Sequence, residues 1–227
     1  LTVAIGAPDN EGNGTFSGQV RIYKYIAGMW VQQGSDIDGE AVSDNSGRCI
    51  SLSGDGLTVA IGAIYNDGNG SVAGHVRVYK IISGTWVQQG SDIDGEATGN
   101  NSGYSLSLSS DGLTVAIGAP YNNGNGIAAG HVRIYKYIAG TWVQQGSDLD
   151  GEEMVDYSGY SVSLSSDGLT VAIGAPNNSG NGTTAGHVRI YKYTSGTWVQ
   201  QGSDIDGEVL GDNSGTSVSL SGDGLTV

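Results

Sequence analysis

The sequence predicts an all-β chain of tandem, four-stranded antiparallel units, and three observations carry that expectation. Leu-Thr-Val-Ala-Ile-Gly-Ala returns at Leu1, Leu57, Leu113 and Leu169, and Leu-Thr-Val at Leu225, so the chain repeats every 56 residues without insertion or deletion. Forty glycines are spread through 227 residues, a density that long helices do not tolerate, because each interior glycine costs roughly 1 kcal/mol against alanine. Between the glycine clusters lie short runs rich in Val, Ile, Tyr and Thr, the composition of strands. The frame divides the chain into 1–56, 57–112, 113–168 and 169–224, with 225–227 starting a fifth copy.

The elements follow from the turns. Asp55-Gly56 and Asp111-Gly112 each separate two β-rich runs, and such a pair predicts a type I′ hairpin turn with positive φ at both centres. Tyr104–Ser109 is therefore expected to pair with Leu113–Pro120. In the second repeat a loop rich in Gly and Asn, Tyr65–Gly74, leads to a strand over His75–Ile82. Ser83-Gly84 turns the chain into Thr85–Ile93, and the acidic stretch Asp94–Gly103 carries it to the next repeat. A meander of this kind in tandem is the pattern of β-propeller blades, either as four blades or as part of a longer array. Blades are covered on both faces, which accounts for the apolar run Val3-Ala4-Ile5, and one tryptophan per repeat (Trp30, Trp86, Trp142, Trp198) is expected in the core between blades.

The net charge of −14 repels a nucleic-acid backbone or an anionic membrane. No apolar run approaches the ~20 residues of a membrane-spanning helix. The one cysteine, Cys49, stands where the other copies have Ser105, Ser161 and Ser217, and is expected to be a small semi-buried residue without redox function. With no initiator Met, the chain is expected to be processed or a window on something longer. A closed ring of four blades would pair Leu1–Pro8 with Thr216–Ser221, where 225–227 would compete for the same slot, so Leu1 and Val227 are expected near a junction between successive units.

Three segments together, Ser158–Val162, Val171–Pro176 and Gly186–Tyr191, resemble the FG-GAP repeat of integrin alpha-chain propellers, and the likeness extends to every repeat. It implies a propeller and an extracellular, adhesive setting. The chain departs from that pattern where Ser46, Ser102, Ser158 and Ser214 replace the family's Phe, and at Ile64 in place of proline. The family's calcium loop is reduced here to Ser-Gly-Asp-Gly or Ser-Ser-Asp-Gly, and one carboxylate cannot supply the six to eight oxygens that Ca²⁺ takes. The family's metal site is therefore not carried over.

Each repeat carries Asp-x-Asp-Gly-Glu: Asp36, Asp38 and Glu40; Asp92, Asp94 and Glu96; Asp148, Asp150 and Glu152; Asp204, Asp206 and Glu208. Asp44, Asp156 and Asp212 follow in three copies. The spacing falls short of a calcium-loop pattern, and the motif is expected to be a solvated acidic loop. His75, His131 and His187 are equivalent, with Gln19 in the first copy, and are expected to be hydrogen-bonded strand residues. No singular catalytic constellation stands out, so no catalytic, cofactor or metal residue is assigned and no enzymatic activity is expected. Asn-x-Ser/Thr occurs at Asn13, Asn69, Asn100, Asn177 and Asn181, the candidate glycosylation sites.

The uniformity of the copies points to a non-enzymatic extracellular structural or adhesive repeat protein, a filament or surface-fibre building block that self-associates with further copies or repeats. The alternative is a glycan- or protein-binding propeller module, lectin-like or receptor-like, using one shallow site per repeat. Neither nucleic acid nor membrane insertion enters either reading.

Overall fold

A computed structural model describes residues 1–227 as an all-β chain of nineteen strands without helices. The strands form four antiparallel sheets. The first contains β1 (Thr2–Ala7), β2 (Gln19–Ile26), β3 (Met29–Gln32) and β4 (Ile37–Asp38). The second contains β5 (Cys49–Leu52), β6 (Thr58–Ala63), β7 (His75–Ile82), β8 (Thr85–Gln88) and β9 (Ile93–Asp94). The third runs from β10 (Ser105–Leu108) through β11 (Thr114–Ala119), β12 (His131–Ile138) and β13 (Thr141–Gln144) to β14 (Leu149–Asp150). The fourth runs from β15 (Ser161–Leu164) through β16 (Thr170–Ala175), β17 (His187–Thr194) and β18 (Thr197–Gln200) to β19 (Ile205–Asp206). Each full sheet begins with the strand that ends the preceding sequence repeat, so sheets and sequence repeats are offset.

Two features differ from the expected meander. The acidic loop contains a two-residue strand that returns to the long third strand, pairing His75 with Asp94 and Val76 with Ile93, and likewise His131 with Asp150. The Asp-Gly connection is also not a two-residue turn. Ser53 N donates to Thr58 O across a four-residue loop, and Gly56 takes φ 69° while Asp55 stays outside the positive-φ region. Asp55 acts through its carboxylate instead, accepting from Ser53 Oγ at 2.6 Å and Leu57 N at 2.9 Å. The turns with positive φ at both centres are Ala27-Gly28, Ser83-Gly84, Ala139-Gly140 and Ser195-Gly196, in the geometry that matches the right-handed twist of flanking strands.

Hydrophobic cores lie between sheets, not within them. Val20, Ile22 and Ile37 of the first sheet pack with Val59, Ile61, Tyr79 and Trp86 of the second. Val76, Val78 and Ile93 pack with Leu106, Leu108, Val115 and Ile117 of the third, and the same arrangement recurs between the third and fourth. Central strands such as β11 are consequently buried at all six positions, as the non-alternating sequence requires. Trp86 is 8% exposed, and its indole N–H donates to Gln33 O of the preceding repeat at 2.7 Å; Trp142 and Trp198 repeat that bond with Gln89 and Gln145. Trp30, in the first sheet, is 48% exposed and does not take the core position expected of it.

Polar stitches join the first strands of successive sheets, and the first strand of the fourth sheet to the segment around Leu220. Ser51, Ser107 and Ser163 accept at Oγ from the backbone N–H of Leu108, Leu164 and Leu220. Backbone contact is close enough to demand glycine at Gly130, where φ is 76° and an added Cβ would collide with Ser158 O. The four sheets do not close on themselves: β1 pairs only with β2, and Leu1–Pro8 does not meet Thr216–Ser221. The latter segment lies against the fourth sheet, with Leu220 packed on Ala172 and Val188, and Ser221 N donates to Thr226 O at 2.8 Å. No helix is long and apolar enough to cross a membrane.

Candidate functional site

The repeated polar residues that the sequence presents separately meet at the seams between sheets. His75 opens β7, the strand flanked by β6 and β9, and is 1% exposed. Asp92, just before β9, is held at Oδ1 by Gln88 Nε2 at 2.6 Å and turns Oδ2 toward His75 Nδ1 at 3.7 Å. Glu40 belongs to the preceding repeat, where Gly39 N is tied to Gly18 O. Its Oε2 lies 3.9 Å from the same Nδ1, and its Oε1 lies 3.3 Å from Arg77 Nη1. Arg77, two residues along β7 and buried, donates from Nη2 to Asp38 O at 2.8 Å and lies over the Tyr79 ring.

The arrangement occurs three times. His131 Nδ1 lies 3.4 Å from Asp148 Oδ2 and 3.8 Å from Glu96 Oε2; His187 Nδ1 lies 3.4 Å from Asp204 Oδ2 and 4.0 Å from Glu152 Oε2. Arg133 and Arg189 take the outer oxygens of Glu96 and Glu152 at 3.6 and 3.5 Å. Gln144 and Gln200 hold Asp148 and Asp204 at 2.6 Å. In the first sheet Gln19 replaces histidine and donates to Asp38 Oδ1 at 2.9 Å.

These histidines are strand residues, as expected, and each leaves one ring nitrogen buried without a partner: Nε2 in His75 and His187, Nδ1 in His131. Their separations from the carboxylates exceed the roughly 2.7–3.2 Å of an N–H···O bond. Burial, followed by the nearby Arg77 or Arg189 charge, outweighs the carboxylates and lowers the His75 and His187 pKa below the ordinary imidazole value, favouring the neutral ring. Each cluster thus combines a buried imidazole with two carboxylates, all within 4.8 Å of one another, a donor set that could hold a cation.

The acidic motif is thereby divided. In the second and third copies its first carboxylate faces the histidine of its own sheet, its middle residue pairs with the strand, and its Glu crosses to the next sheet; the first copy contributes only Glu40 and the fourth only Asp204. Asp44 and Asp156 stay outside the clusters as buried loop fasteners: Asp44 Oδ2 accepts from Ala41 N and Asn66 Nδ2, and Asp156 Oδ2 from Glu153 N and Asn178 Nδ2. Asp212 accepts from Glu208 N and Val209 N in the same loop position. Cys49 is half-buried, and burial raises its thiol pKa.

Among the sequons, Asn13, Asn69 and Asn181 lie exposed on loops, each donating Nδ2 to a backbone carbonyl of the acidic loop. Asn177 is half-buried, and Asn100 is 2% exposed with Oδ1 accepting from Ala97 N. A patch the sequence reading did not single out joins Tyr104, Tyr121, Tyr157 and Tyr160 by ring contacts of 5.0–6.0 Å. Its signal was tyrosine recurring at 104 and 160, where the first copy has Arg48.

No family model and no curated protein matches the sequence. Among solved structures, the chain is similar to a "putative 6-phosphogluconolactonase" from Bacteroides uniformis ATCC 8492, with a TM-score of 0.53 and 12% identity over 83% of this chain and 48% of that one. It is also similar to Kuenenia stuttgartiensis hydrazine synthase, with a TM-score of 0.53 and 17% identity over 91% of this chain and 60% of that one. The chain spans about half to three-fifths of the length of these structures. The likeness establishes a propeller-like arrangement of antiparallel sheets, here left open, and at these identities it shows fold alone.

Proposed function

We propose that this chain is a module of a non-enzymatic extracellular structural or adhesive repeat array. The observation that carries this reading is the sharing of each hydrophobic core between successive sheets. A sheet that buries its face only against a neighbour propagates an array, and stability then resides in the repeated interface. The FG-GAP-like motifs support the extracellular setting, and the exposed Asn13, Asn69 and Asn181 are the places where a glycan would fit. Polar groups recurring at every seam also favour a structural array over a single reaction centre. Imaging the native material tests the reading: continuous fibres or strings of linked domains are expected, whereas isolated closed rings would overturn it. Intact mass before and after deglycosylation tests the sequons.

The second reading, a glycan-binding module, is favoured by the tyrosine patch, of which Tyr121 is 38% exposed. Aromatic faces of this kind stack on sugar rings, whereas Trp86, Trp142 and Trp198 are committed to the seams. Binding on a glycan array that Tyr121→Ala abolishes while the fold persists would select it over the first.

A further inference from the structure

We propose that the three Glu–His–Asp clusters are binding sites for divalent transition-metal ions of the zinc class, one ion at each seam: Glu40, His75 and Asp92; Glu96, His131 and Asp148; Glu152, His187 and Asp204. The geometry is that of ligands around a common centre, not of ligands bonded to one another. Bonds of about 2.0–2.2 Å from a tetrahedral ion to nitrogen and oxygen place neighbouring donor atoms roughly 3.4 Å apart. The observed Nδ1-to-carboxylate separations run from 3.4 to 4.0 Å.

Orientation supports the same assignment. In every copy the imidazole presents Nδ1, the glutamate Oε2 and the aspartate Oδ2, while the opposite oxygens are held by Arg77, Arg133 or Arg189 and by Gln88, Gln144 or Gln200. Partners of this kind, bonded to the far side of a ligand, are what fix ligands at metal centres. Independently, His131 is 1% exposed and its Nδ1, aimed between Glu96 and Asp148, is buried without a hydrogen-bond partner. The imidazole nitrogen selects the ion class: Ca²⁺ and Mg²⁺ take oxygen ligands, whereas imidazole with carboxylate suits zinc and its neighbours. Water would complete the coordination on the exposed carboxylate side.

The consequence is mechanical. Glu40 comes from one sheet's trailing loop, and His75 and Asp92 from the next sheet, so each ion would clamp two sheets that otherwise share only apolar packing, hydrogen bonds and the Arg–Glu pair. The first copy, with Gln19, lacks the imidazole.

That natural replacement supplies the test, because His→Gln reproduces a side chain the fold already accepts at this position. The full chain is dialysed against zinc at neutral pH, its metal content measured by mass spectrometry, and Co²⁺ used in parallel for its ligand-field absorption. Three ions per chain are expected, falling to two in His131→Gln and to none in the triple variant H75Q/H131Q/H187Q. Zinc should raise the melting midpoint of the wild type and leave that of the triple variant unchanged. Fewer than one ion per wild-type chain, an undiminished metal content in a triple variant that melts cooperatively without metal, or binding of calcium but not of zinc or cobalt would each overturn the proposal.

Discussion

At the scale of single residues, equal sequence does not mean equal energy. Ile5 and Ile117 occupy the same phase of the repeat, yet Ile5 is 49% exposed and Ile117 1%, because only the latter has a sheet on both sides. Ile117→Val is therefore expected to cost about 0.5–1.5 kcal/mol, and Ile5→Val close to nothing, as read from denaturant midpoints. A second residue-level effect concerns the loop aspartates. Burial alone would raise the pKa of Asp55 and Asp167, but hydrogen bonds from Ser53 and Ser165, from Leu57 N and Leu169 N, and the charges of Lys80 and Lys192 prevail and lower both. A carboxylate with a lowered pKa in the folded state contributes stability above its unfolded value, about 3.9, and loses it as pH falls through the folded value. Both groups are largely exposed, so screening keeps each contribution to a fraction of about 1 kcal/mol. The double variant D55N/D167N should melt below the wild type at neutral pH, with the gap narrowing once pH drops under about 4. A gap that widens in acid would contradict the assignment.

At the scale of elements, the two kinds of hairpin were legible as turns but not as turn types. Asp-Gly was expected to form the type I′ turn and does not, because Ser53 Oγ and Leu57 N draw the aspartate carboxylate into a longer loop. The strained geometry falls on Ala139 and its equivalents, with φ 49° followed by 95° at Gly140. An L-residue in that region costs roughly 1–2 kcal/mol, less for asparagine. Ala139→Asn is therefore expected to stabilise the chain by about 0.5–1 kcal/mol, measured by chemical denaturation, since the Ala139 side chain points to solvent. The two-residue strand of each acidic loop escaped the sequence reading because Ile93-Asp94 is too short to show a period. Only its pairing with His75 and Val76 defines it.

At the scale of the whole molecule, stability is distributed over interfaces. The β6, β11 and β16 strands are buried at every position, whereas β1 alternates between half-buried and exposed. Amide exchange should accordingly be slowest in β11 and β16 and markedly faster in β1, although the four strands share one sequence. Uniform protection across all four would show that the open arc closes in solution. The candidate site was legible only in part: its Asp-x-Asp-Gly-Glu motif and its histidine were visible in every copy that has them. Their meeting was not, because Glu40 and His75 lie in different sheets and local spacing carries no signal of which loop faces which strand.

The sequence by itself therefore determined the period, the strands that close-range patterning creates, the seam position of three of the four tryptophans and the absence of long apolar spans. These depend on hydrophobic order and turn chemistry within a few tens of residues. The tertiary structure decided the offset between repeat and sheet, the open arc, and the assembly of carboxylates and imidazole at each seam. Those depend on how one twisted sheet packs against the next, which places side chains from different sheets around a shared point.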